Sequence, residues 1–187
     1  MSQLLLQPGP ADGIDTWMDG EDTGVNYGTN DILRIGAGYE YHASGAQHAL
    51  LRFDASALIG SVIESATLTL YCKSVLSDGH VYQDYQNPPY DYYHTITCYR
   101  CPKPWTELGA TWDEYDGTNA WSVPDAGGDY DSSIAAVCED IYGLVNLTFD
   151  IKAHVEDAIT NRTGELSLIC VITGNDGGFG IPEWRHD

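Results

Sequence analysis

Side chains that switch between apolar and polar at every second position make a half-buried strand, and this chain repeats that pattern along most of its length. Ala66, Leu68, Leu70 and Cys72 alternate with Thr67, Thr69 and Tyr71. Ala49, Leu51 and Phe53 do the same within Gln47 to Asp54, as do Val145, Leu147 and Phe149, and then Leu166, Leu168, Cys170 and Ile172. Shorter candidates run from Ile14 to Met18, Ile32 to Ile35, Thr95 to Arg100 and Ala110 to Trp112. Clusters of Gly, Asn and Asp separate them and supply turns that tolerate positive φ. Many short strands spaced in this way predict an all-β sandwich or barrel.

Two segments depart from the alternation. Ile151, Val155, Ala158 and Ile159 recur at helical spacing with Gly164 just beyond, which predicts a short helix capping one edge of the sandwich. Ile134, Cys138, Ile141 and Tyr142 also fit a helix face, with Ser132 or Ser133 as the N-cap. A chain of 187 residues with 43% apolar side chains suits one domain, residues 1–187, with an N-terminal arm over 1–12. The stretch from His80 to His94 differs in kind. It holds Tyr82, Tyr85, Tyr90, Tyr92 and Tyr93 around Pro88 and Pro89, and adjacent prolines do not sit in a central strand. It reads as a loop insertion whose rings either pack on one another or offer contact area to a partner.

Charge excludes several functions. Eight Lys and Arg stand against 28 Asp and Glu, a formal net charge of −20, which removes the basic surface that phosphate backbones require. The same excess argues against anionic lipid, and against acidic glycans unless a cation bridges them. It also keeps proteins apart by mutual repulsion. Met1 to Pro10 has no basic start and only a short apolar run at Leu4 to Leu6, and no later stretch approaches the length of a membrane span. A protein that stays in the cytoplasm, leaves by lysis or has lost its leader fits equally.

Five cysteines, an odd number, suggest free thiols rather than a disulfide framework. Cys98 and Cys101 have CxxC spacing, yet no second CxxC or HxxxH completes a zinc site. Asp19, Glu21, Asp22 and Asp31 crowd one turn region and Asp125, Asp129 and Asp131 another, which makes them candidate ligands for a structural Ca²⁺, although neither group has EF-hand spacing. No other cofactor is indicated. The six histidines are scattered, and no GxSxG, HExxH or P-loop is present, so no enzyme is expected.

Further pieces fall in a definite order. They are Asp15-Thr-Trp17, Val25-Asn-Tyr-Gly-Thr-Asn30, Leu33-Arg-Ile-Gly36, Ala49-Leu-Leu-Arg-Phe-Asp54 and Ile63 to Tyr71. Trp105-Thr-Glu107, Ala110-Thr-Trp112, Trp121 ahead of Gly127-Gly-Asp129, and Phe149-Asp-Ile151 follow. From about Asp15 to Glu183 the chain resembles the DNRLRE-type jelly-roll module, a group that includes carbohydrate-binding modules and has similar members among virion proteins of tailed phages. The resemblance implies an antiparallel jelly-roll β-sandwich with one or two short helices, and no catalysis. Modules of this kind usually carry a strand after the glutamate that Glu183 resembles, so an open sheet edge is expected at Trp184 to Asp187.

Two functions from different classes follow. One is a structural protein of a virion surface, a capsid decoration or fibre component, that self-associates or meets other virion proteins through the tyrosine-rich loop and the open edge. The other is an extracellular carbohydrate-binding module in which Trp105, Trp112 and Trp121 stack on sugar rings, unless those rings wall one end of the core. Within the region 26–30, a tight polar turn would leave Gly28 free to adopt a left-handed conformation, and Arg52 could pair with Asp54 at a strand end.

Overall fold

Strands form at each of the long alternating stretches of the sequence. The computed structural model describes residues 4–6, 14–37, 45–77, 80–81, 94–124, 126–141, 146–175 and 181–185. In chain order the elements are β1 (Ile14–Asp19), β2 (Leu33–Arg34), β3 (Gly36–Ala37), β4 (Ala46–Asp54), a 3-10 turn (Ser56–Leu58), β5 (Thr67–Ser77), β6 (His80–Val81), β7 (His94–Arg100), β8 (Asp131–Ile141), β9 (Leu147–Asp150), α1 (Lys152–Asn161), β10 (Glu165–Asn175) and β11 (Ile181–Arg185). One antiparallel sheet runs β1-β4-β10-β7-β8, with β3 also on β4; the other runs β2-β11-β5-β6, with β9 also on β5.

Between the sheets lies the main core. Trp17, Ala49, Leu51, Ile96, Cys98, Leu166, Leu168 and Cys170 face inward from the first sheet. Leu33, Leu68, Leu70, Leu147 and Phe149 meet them from the second. Burying these side chains on both inner faces is what drives the sandwich, at about 25 cal/mol per Å² of apolar surface. Helix α1 closes one side with Val155 and Ala158 buried. The Asp150 carboxylate accepts from the Lys152 amide at 3.1 Å to start it. Gly164, at φ +93°, ends it by turning its own N–H back to the Ala158 carbonyl at 2.8 Å.

Several expectations change. The segment around Ile134 to Ile141 is not a helix but the edge strand β8. Ala136 is buried and Cys138 half-buried, while Ala135, Val137 and Glu139 are exposed, an alternation masked in the sequence because alanine and valine lie on the outer side too. Ala110 to Trp112 is no strand. The Ala110 N–H turns back to Thr106 O at 2.8 Å and that of Thr111 to Glu114 O, also at 2.8 Å, and the segment packs on a sheet instead of joining one. The expected open edge near Glu183 is filled, since β11 contains that residue and pairs with both β2 and β5. Gly28 is not left-handed. A Cβ there would stand 2.2 Å from the Glu107 carbonyl oxygen, so the position demands closeness, not positive φ. Arg52 donates to the Trp105 carbonyl at 2.9 Å, while Asp54 accepts from the Ser56 amide. Tyr82, Tyr85, Tyr90, Tyr92 and Tyr93 lie outside the described residues.

Candidate functional site

The first sheet is covered on its outer face as well. Residues 101–130, which join β7 to β8, lie across it as a strap and build a second core. Met18, Leu50, Ile169 and Val171 point up from the strands into Cys101, Trp105, Ala110, Trp112 and Trp121 of the strap. Trp105 is wholly buried and donates Nε1–H to Ser167 Oγ at 2.9 Å. Trp121 donates to the Thr111 carbonyl at 2.9 Å. Trp112 and Trp121 are each only 4% exposed, so none of the three rings offers a face to a sugar, and of the two readings of these tryptophans the packing one holds. They hold the strap down.

Where the strap returns toward β8 it leaves an open pocket of about 600 Å³. Lys103, Ser122, Val123, Gly128, Asp129 and Tyr130 line it. Tyr130 is 48% exposed and stacks on Tyr99 of β7 with ring centroids 4.7 Å apart, so one ring braces the other. Lys103 Nζ stands 3.5 Å from Asp129 Oδ2 and 5.5 Å from the centre of the Tyr115 ring. Burial of Asp129 favours its neutral form, but amide hydrogen bonds from Ser122 and Val123, with Lys103 beside them, outweigh it and hold the carboxyl below its usual range. A half-open aromatic face next to a fixed donor–acceptor pair can bind a ring bearing neighbouring hydroxyls.

The loop that carries Asp129 and Tyr130 is set by close backbone packing. Gly127 has φ +59°, and a Cβ on it would lie 2.3 Å from the Trp112 ring. Gly128 has φ +121°, and a Cβ there would lie 2.5 Å from Ile169 Cδ1. From β4, His48 bonds the Gly127 carbonyl through Nδ1 at 2.7 Å and lies 4.9 Å from Trp112, centroid to centroid. Sequence reading named Asp129 only as a cation ligand and passed over Lys103, Tyr99, Tyr130 and His48. Tyr99 was the one accessible signal, as an aromatic on the outer phase of the predicted strand Thr95 to Arg100.

Asp19, Asp22 and Asp131, three of the candidate cation ligands, accept hydrogen bonds from within the protein. Asp19 accepts from the Glu21 amide at 2.9 Å and from Gln47 Nε2 at 2.8 Å. Asp22 accepts from the Tyr27 hydroxyl, whose pKa is pushed up to about 12 by burial and by the charges of Asp19 and Asp22. Asp131 is bonded by Ser133 and by Arg100. Among the described residues no three His, Cys, Asp or Glu side chains gather as a metal site. Asp125 lies outside the described residues. Cys98 belongs to the main core and Cys101 to the second, on opposite faces of the sheet, so the CxxC spacing makes no chelate. Among the described residues no helix is long and apolar enough to cross a membrane.

Comparison with known proteins adds a family. Residues 11–181 match carbohydrate-binding module family 96. No curated protein matches the sequence. The family match bears on the carbohydrate-binding side of the resemblance drawn above and carries nothing about DNRLRE-type modules or phage particles. A match over nearly the whole sandwich places this chain in carbohydrate-binding module family 96.

Proposed function

We propose that the chain holds a polysaccharide in the pocket between the strap and β8, with Tyr130 beneath a sugar ring and the Lys103–Asp129 pair on its hydroxyls. The observation that carries this is the combination in one open pocket of a half-exposed ring braced from behind and an oriented cation–carboxylate pair. Asp129 accepts from one hydroxyl and Lys103 donates to its neighbour, which favours rings with two adjacent hydroxyls free. An open pocket also leaves room for the chain to continue on both sides.

Affinity electrophoresis against a panel of neutral and acidic polysaccharides tests the reading. Tyr130→Ala removes the stacking surface and is expected to weaken retention by roughly ten-fold, about 1.4 kcal/mol, with the fold intact. Lys103→Ala is expected to act in the same direction. Retention that survives both changes, with every polymer that the unaltered chain binds, rules this pocket out.

A further inference from the structure

We infer that Cys98 and Cys170 form a modification site in the main core: as the chain folds among low-molecular-weight disulfides, the two thiols close a bond that clamps β7 to β10. This stands apart from the glycan pocket and needs no ligand.

The register sets the two residues face to face. Cys170 is the direct cross-strand partner of Cys98, and the pairing runs without a bulge from Leu168 with Arg100 to Ile172 with Ile96. Antiparallel partners come in two kinds, and those that exchange no backbone hydrogen bonds bring their Cα atoms closer, to about 4.5 Å. The phase of the ladder tells which kind this is. The Cys101 amide donates to the Ser167 carbonyl at 2.9 Å, so the bonded pairs between β7 and β10 fall at Cys101, Tyr99 and Thr97, and Cys98 lies between them. On the other side of β10 the Ala55 amide donates to the Gly164 carbonyl at 2.8 Å. By the same alternation the backbone groups of Cys170 turn toward Ala49 on β4, away from Cys98. Both ladders therefore make Cys98 and Cys170 a close pair without backbone bonds. A disulfide spans Cα atoms roughly 4.4–6.8 Å apart and needs Cβ vectors that do not diverge. Both side chains point into the main core, where neither residue keeps any exposed surface.

The other thiols are placed differently. Cys101 lies on the opposite face of the sheet, in the second core. Cys72 belongs to β5 of the facing sheet, across the roughly 10 Å that separates packed sheets. Cys138 pairs with Ile96, and Ala136 is the partner of Cys98 on β8, so Cys138 stands on the diagonal at about 7–8 Å.

The chemistry fixes when the bond forms. A thiolate is the attacking species. In the folded chain Cys98 is held neutral, its pKa pushed well above the ordinary thiol range by the hydrogen bond with Cys170 and by burial, and neither residue meets solvent. Before the second sheet covers the pair, one thiolate attacks the oxidant's disulfide, forms a mixed disulfide and expels one thiol. The second protein thiolate then attacks the protein-bound sulfur and expels the other. Two protein thiols lose two electrons and two protons, and the oxidant takes up both as two thiols. The closed bond encloses residues 99–169, which include the strap and α1.

The full chain is unfolded and reduced, then refolded with reduced glutathione alone or with a mixture of its reduced and oxidised forms. Thiols titrated in denaturant are expected to number five after the first and three after the second. Peptide mapping without reductant is expected to show Cys98 linked to Cys170. The urea midpoint is expected to rise by roughly 1 M in the oxidised chain, and in Cys170→Ala to be the same from both buffers, whatever the truncation costs in each. The folded, reduced chain is expected to keep its five thiols when oxidised glutathione is added. Five thiols after oxidative refolding, a link from Cys98 or Cys170 to any other cysteine, or glutathione left on either residue overturns the proposal. Oxidation of the folded chain as fast as of the refolding one overturns the timing argued from burial. If Cys170→Ala does not fold, the peptide map of the unaltered chain decides alone.

Discussion

Gly28 shows how much a single position can carry between distant parts of the chain. Its amide donates to Asn26 Oδ1 at 3.1 Å, and Asn26 Nδ2 lies 2.7 Å from both the Glu107 and Ala110 carbonyls. The first loop is thus stitched to the strap with no room for a methyl group, since a Cβ would be 2.2 Å from the Glu107 oxygen. Gly28→Ala is expected to lower unfolding free energy by about 1–3 kcal/mol, read from a urea midpoint; an unchanged midpoint means the two loops part without cost. Sequence reading marked this glycine, but for turn freedom. Its real reason is a neighbour far away in the chain, which local pattern cannot reveal. The same holds for Arg52, whose partner is the Trp105 carbonyl and not the nearby Asp54.

Among the elements, the strap decides the most and was the least legible. Its tryptophans stood out, yet composition does not say whether an indole faces water or a second core. Trp105 is buried against Ile169 and the rest of that core, with the Arg52 guanidinium 5.1 Å from its ring centre. Trp105→Ala is expected to cost about 3–5 kcal/mol in urea unfolding, the size of a large core truncation; a loss below about 1 kcal/mol means the strap is not anchored there. The long strands β4, β5 and β10 and the helix α1 were legible because their apolar positions keep one period throughout. The strand β8 was not, because Ser132, Ser133, Ala135 and Ala136 give no contrast between its faces, and β7 beside it settles the matter by pairing. The very short β2, β3 and β6 exist only as partners of longer strands. The pocket was illegible for a related reason. Lys103, Asp129 and Tyr130 meet only because both ends of the strap return to one sheet.

At the scale of the whole molecule, two opposing effects act on acidification. His48, at about 4, and His154, also lowered by burial against a smaller pull from the Cys98 carbonyl, hold fewer protons folded than unfolded. Stability that is complete above the unfolded value of 6.5 is therefore lost as pH falls toward about 4. Asp131, held down to about 2 by the Ser133 hydroxyl and amide and by Arg100, extends the loss below 3.8. Neutralising part of the −20 charge acts the other way by easing repulsion. We expect the buried His154 and the half-buried His48 to prevail, so the melting temperature falls steadily from about pH 7 to about pH 4; a rise on acidification to about pH 5 shows repulsion to be the larger effect. Finally, a sheet packed on both faces separates durability from preference. Ser122 and Val123 face outward from the strap and belong to neither core, so they can be exchanged without loosening either layer. In the proposed glycan pocket, that leaves natural variation, or a designer's library, free to retune the choice of sugar while the scaffold underneath stays as it is.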